Sequence, residues 1–147
     1  MSLVPEVAVS AAHAEAIARG LFAVAKSDGL HQAEEALIAS FWADVGGTPA
    51  ALAELARRPA IGASELASSL ETSDLRELFL KTALLLAWAD GKVSAAERGV
   101  LDDFARALGL SAQVAKFELL VKEYLLSHLT HLSNTTAVAA VAKSMSL

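Results

Sequence analysis

Residues 89–97 read Ala-Asp-Gly-Lys-Val-Ser-Ala-Ala-Glu, and residues 27–35 read Ser-Asp-Gly-Leu-His-Gln-Ala-Glu-Glu. Both have the form Asp-Gly-x5-Glu, and they sit 62 residues apart, from Asp28 to Asp90 and from Glu35 to Glu97. An apolar helical run precedes and follows each copy. Glycine ends a helix because it accepts a left-handed backbone at no steric cost. An acid in the next first turn meets the positive end of the helix dipole. The phrase therefore marks a joint between two helices, and its recurrence predicts a duplicated helical hairpin.

Outward from the joints the same punctuation recurs. The first helix is expected over about residues 5–27, with Pro5 at its first position. A second runs over about 32–45, with Leu37, Ile38, Phe41, Trp42 and Val45 on one face. Gly46-Gly47 ends it, and Thr48-Pro49 caps and starts a third, to about residue 58. Gly-Gly-Thr lacks the spacing and lysine of a phosphate loop, so capping is the better reading. A short helix near 65–69 follows, then a fifth over about 75–89 behind the cap cluster Thr72-Ser73-Asp74. Leu75, Leu78, Phe79, Leu85 and Leu86 make that fifth helix the strongest core candidate. Ser94 and Glu97 form a capping box for the sixth, which carries Val100, Leu101, Phe104, Ala105 and Leu108 and stops at Gly109. A seventh covers about 112–126, and Ser133-Asn134 caps a last one to about residue 144.

The composition agrees: 54% of residues are hydrophobic but only 5% aromatic, and much of the remainder is alanine, the best helix former. No β-branched alternation of the kind that marks strands is present. The predicted fold is all-α, a compact single-domain bundle of about seven to eight helices with a pseudo-twofold duplication of a hairpin. Repeat one spans about 11–47, repeat two about 73–109, and C-terminal helices about 112–145 of residues 1–147.

Net charge is −5 and the only adjacent basic pair is Arg57-Arg58, so no basic stripe exists for nucleic acid or an anionic membrane. The absence of cysteine excludes disulfides and thiolate metal sites. Glu6 and Glu15 interrupt the N-terminal apolar stretch, against a secretory leader. The most apolar run, 78–89, is broken by Lys81 and shorter than the ~20 residues a membrane span needs. The expected location is cytoplasmic.

Two readings of the joint carboxylates stand side by side. In one they are a site. Asp28 and Asp90 each follow a helix C-terminus, where the dipole disfavours an acid, and a cation shared with Glu35 or Glu97 would offset this. Oxygen-only ligands suit calcium or magnesium. In the other reading the aspartates close turns and the glutamates cap helices, with no metal. The phrase matches EF-hand loop positions 5, 6 and 12. Positions 1 and 3 would then be Val24 and Lys26, or Leu86 and Trp88, none of which can ligate a cation, so an EF-hand is rejected. Aligning the apolar faces instead of the turns gives an offset of 63 and pairs Glu34, not Glu35, with Glu97. The turn alignment is preferred, with Glu34 as the substitute.

The second copy, residues 87–97, followed by Leu101 and residues 104–110, resembles the TerB family, associated with tellurite resistance; similar domains precede some J-domain co-chaperones. Residues 25–35 resemble that family's other hairpin, and the likeness covers about 22–110. The resemblance implies an all-helical pseudo-symmetric fold, a stress-response setting and a metal site at Asp28, Glu35, Asp90 and Glu97. His31 stands where the second copy has Val93, and Lys26 precedes the first Asp, so the second copy is the closer match.

Among other candidates, His128 and His131 share a spacing of i, i+3 but lack a third ligand at useful spacing, and His13 and His31 read as isolated surface residues. Trp42 and Trp88 flank the two joints and read as core. No nucleophile elbow is recognisable, so the chain is expected to be non-enzymatic. The competing class is a metal-free interaction module that binds other proteins or itself as a dimer. Its contact face would lie on the last helix at Ala137, Val138 and Val141.

Overall fold

The computed structural model describes residues 9–89 and 91–129. Every regular element among them is helical: α1 (Ala11–Lys26), α2 (Gln32–Asp44), α3 (Pro49–Arg57), α4 (Ala63–Ser69), α5 (Ser73–Ala87), α6 (Ala95–Leu108) and α7 (Val114–Leu129). A 3₁₀ turn at Ser111–Gln113 leads into α7. The helix expected from residue 134 onward lies outside the described residues, as do His131 and the apolar trio Ala137, Val138 and Val141.

Caps set most boundaries. Thr48 and Thr72 accept the N–H of Ala51 and Leu75, each at 3.2 Å. Gly109 ends α6 with φ of 75°, and Leu110 N–H donates back to the Ala105 carbonyl at 2.8 Å. One start differs from expectation by more than two residues. α1 begins at Ala11, not near Pro5, because Ser10 is extended and accepts the His13 N–H at 3.2 Å. A serine that satisfies an orphan donor fixes the start better than a proline that merely lacks one.

α1 and α5 form the centre. α1 packs against α2 through α6, and α5 against α1, α2, α6 and α7. Small residues make this possible: at Gly20 of α1 a Cβ would stand 2.5 Å from the Phe79 ring of α5. Phe79 is fully buried and meets Phe104 of α6 edge-on, with ring centroids 5.5 Å apart. Burying such a side chain contributes about 1.5–3 kcal/mol, and the ring pair about 0.5–1.5 more. Trp42 and Trp88 both belong to the core.

Arg76 of α5 ties the bundle together in a way its sequence context does not announce. Its guanidinium donates to the carbonyls of Leu70 at 2.6 Å, Ala67 at 3.0 Å and Leu108 at 3.3 Å. These are the terminal carbonyls of α4 and α6, which have no intrahelical donor and carry the negative end of each dipole. Among the described residues no helix is long and apolar enough to cross a membrane.

Candidate metal centre

The two joints begin alike. After α1, Ser27 N–H donates to Val24 O at 3.3 Å and Gly29 N–H to Lys26 O at 3.4 Å. After α5, Ala89 N–H donates to Leu86 O at 3.1 Å and Gly91 N–H to Trp88 O at 2.9 Å. The two glycines have φ of 97° and 90°, a backbone that a residue with a Cβ rarely adopts. Up to this point the joints correspond at a spacing of 62.

They then diverge by one residue. Leu30 alone separates Gly29 from the N-cap His31, whereas Lys92 and Val93 separate Gly91 from the N-cap Ser94. The following helices therefore correspond at 63. His31 N–H donates to Glu34 Oε1 at 3.2 Å, and Ser94 N–H to Glu97 Oε1 at 3.0 Å. Ser94 Oγ accepts the Glu97 N–H at 3.0 Å, which completes the expected capping box.

This register moves one candidate. Glu34, 1% exposed, is the counterpart of Glu97, 2% exposed. Glu35 is exposed, and its N–H donates to the His31 carbonyl just as Arg98 N–H donates to that of Ser94. Counting from the turn glycine selected Glu35. Counting from the N-cap selects Glu34, and the N-cap governs which residues face inward.

The first joint gathers three ligand types. Asp28, His31 and Glu34 each offer an atom within 4.8 Å of the others, with Asp28 and His31 exposed and Glu34 buried. Asp28 Oδ1 and His31 Nε2 are 3.7 Å apart. The sequence reads His31 as an isolated surface residue, although its Asp-x-x-His-x-x-Glu spacing is the signal that makes it a candidate ligand. Its imidazole changes the chemistry from oxygen-only to one nitrogen and two carboxylates, a set that suits zinc or manganese better than calcium or magnesium. The donor set fits a divalent cation with positions left for water.

At the second joint Asp90 lies outside the described residues. Glu97 Oε2 is buried with no hydrogen-bond partner among the described residues. Such an atom ordinarily costs about 1–3 kcal/mol. The joint is also braced from α7. Glu118 accepts from Trp88 Nε1 at 2.8 Å and from Arg98 Nη2 at 2.5 Å, and Lys122 Nζ lies 4.4 Å from the Trp88 ring centroid. Partial burial pushes the Glu118 carboxyl up, but the hydrogen bonds from Arg98 and Trp88 and the charges of Arg98 and Lys122 outweigh it and hold it below its ordinary value. The bond to Glu118 in turn holds Arg98 above its own.

The remaining histidine expectations fare differently. His13 is only part-exposed and its Nε2 lies 2.7 Å from Glu71 Oε1. The His128 side chain, like all of His131, lies outside what the structure describes. Compared with known proteins, the chain matches no protein-family model, no curated protein and no solved structure.

Proposed function

We propose that this chain is a non-enzymatic helical domain of TerB-like character that binds one divalent cation at the α1–α2 joint, with Asp28, His31 and Glu34 as its protein ligands. The observation that carries this reading is the convergence of three ligand groups within 4.8 Å around a glutamate that is 1% exposed. Asp28 supplies a second reason. It follows the C-terminus of α1, where an acid is disfavoured, and a cation shared with α2 would remove that cost while bracing one helix against the next. The stress-response setting, the cytoplasmic location and any protein partner, including a second copy of the chain, rest on the resemblance of residues 22–110 and on composition.

Isothermal titration of the purified chain with zinc, manganese, calcium and magnesium chlorides tests the reading. Zinc or manganese should bind at one site, more tightly than calcium, and Asp28→Asn should weaken binding by about tenfold or more, a loss of about 1.4 kcal/mol or greater. Absence of heat with all four ions refutes it. Growth of the native host on tellurite after deletion of the gene tests the setting, and unchanged growth removes it.

The metal-free reading has its own support. Glu34 and Glu97 each accept an N-cap N–H, a role that needs no ion. In that case the joints are structural and function lies in contacts with another protein. Silent titrations together with a retained protein partner would favour it.

A further inference from the structure

A cleft of about 440 Å³ opens between α1, the α3–α4 connection and α6, well away in character from the acidic joint. We propose that it binds a small amphipathic organic anion, a carboxylate carrying an apolar chain or ring. The volume falls within the ~300–1,000 Å³ typical of small-molecule sites. Its lining is apolar at the base, where Phe22, Leu55, Ile61 and Phe104 are all buried core residues. Arg19, Lys26 and Arg58 also line it, against the single acid Asp103. Asp103 is itself 3.1 Å from Arg106. In a chain of net charge −5 this is a local reversal of sign.

The three cations are not equally committed. Arg19 pairs with Glu65 at 3.0 Å and donates to the Pro59 carbonyl at 3.2 Å, and Arg58 pairs with Glu15; Glu65 is mostly solvent-exposed and Glu15 partly so, which screens both pairs. Lys26 has no carboxylate partner among the described residues. Its Nζ donates to the Ala56 carbonyl and lies 5.2 Å from the Phe22 ring centroid. The Arg19 Nε is buried with no hydrogen-bond acceptor among the described residues, an unused donor on a residue of the cleft wall. Lys26 and Arg58 stand at helix C-termini, where a cation is favourable without any ligand. That accounts for the charges but not for the apolar recess beneath them. A molecule with an apolar body and one negative end uses both: the body displaces water from Phe22, Ile61 and Phe104, and the carboxylate takes the Lys26 ammonium.

The test is an NMR titration of the full chain with sodium octanoate, with neutral 1-octanol as control. Octanoate should give saturable amide shifts at Phe22, Ala23, Ile61 and Phe104 in the millimolar range or below, about tenfold tighter than octanol. Lys26→Met should weaken octanoate about fivefold or more and leave octanol unchanged. Ala23→Leu, which fills the recess, should block both. No saturable shift at these residues, equal affinity for octanoate and octanol, or full octanoate affinity in Lys26→Met would each overturn the proposal. The amide spectrum itself reports whether either variant remains folded. The titration is run without any divalent cation, so its outcomes are read apart from those at the neighbouring α1–α2 joint, whose Asp28 adjoins Ser27 of the cleft wall.

Discussion

Replacing Glu34 by glutamine separates the two roles its carboxylate can play. Glutamine keeps an oxygen that can accept the His31 N–H, now 3.2 Å from Glu34 Oε1, and removes the charge. Without metal the cost is the helix-end charge effect, about 0.3–1 kcal/mol, plus the difference between a charged and a neutral acceptor, about 0.5–1.5 kcal/mol. A net loss of about 1–2 kcal/mol is expected, or about 2–8 °C in Tm for a domain of this size. With a cation at 100 times its Kd, wild type gains about 2.7 kcal/mol, or about 5–11 °C. Glu34→Gln should lose most of that gain. Glu35→Gln, at an exposed position one residue on, should change metal-free stability by no more than about 0.5 kcal/mol and keep the metal-induced rise. Differential scanning fluorimetry with zinc or manganese against an EDTA baseline reads each of these shifts. A rise retained in Glu34→Gln but lost in Glu35→Gln would refute the register as well as the site. A metal-free Tm that increased in Glu34→Gln would show that the carboxylate is a net burden there and not a cap.

Arg76→Ala should destabilise the domain by about 2–4 kcal/mol in urea unfolding, because the terminal carbonyls of α4 and α6 lose a charged donor together; a loss below about 0.5 kcal/mol would contradict the clamp. Gly20→Val should cost about 1–3 kcal/mol or more by driving a branched side chain into the Phe79 ring, and Phe79→Leu in the same background should recover part of it. Glu118 is held below its ordinary carboxylate value near 4.5, so its contribution to stability is present above that pH and is lost as pH falls through the lower folded-state value. Urea melts from pH 7 to 3 should therefore show wild type more stable than Glu118→Gln near neutrality, with the gap closing at the acid end; a gap independent of pH would contradict the assignment.

The fold was legible because alanine-rich amphipathic runs and their caps point the same way. Thr48, Thr72 and Ser94 each start a helix, and Gly109 ends one, where their chemistry says they should. The start of α1 was the exception, set by the Ser10 cap and not by Pro5. Arg76 was illegible for a different reason. A lone arginine at helical spacing reads as surface, and only the tertiary arrangement brings the ends of α4 and α6 to it. His31 fell between the two cases. Its spacing from Asp28 and Glu34 was visible, but a ligand set assembles only if the turn brings residues i, i+3 and i+6 to one point, and spacing alone does not fix the turn.

That turn is where one residue decides the chemistry. An α-helix advances about 100° per residue, so moving the N-cap by one position changes which glutamate faces the core. At the first joint the N-cap follows Gly29 after Leu30 alone, which sets His31 three residues from Asp28 and close enough to pair with it at 3.7 Å. At the second joint Val93 is added and packs against the core, which sets Ser94 four residues from Asp90 and gives the N-cap to a hydroxyl instead of an imidazole. The longer loop uses its extra residue for packing and is braced by Trp88, Arg98 and Glu118. The shorter loop has no such apolar anchor: Leu30 is 37% exposed. A joint that lacks an apolar anchor but holds two carboxylates and an imidazole together gains most from a cation. That asymmetry, more than the acidity the two joints share, favours the first of them as the candidate metal centre.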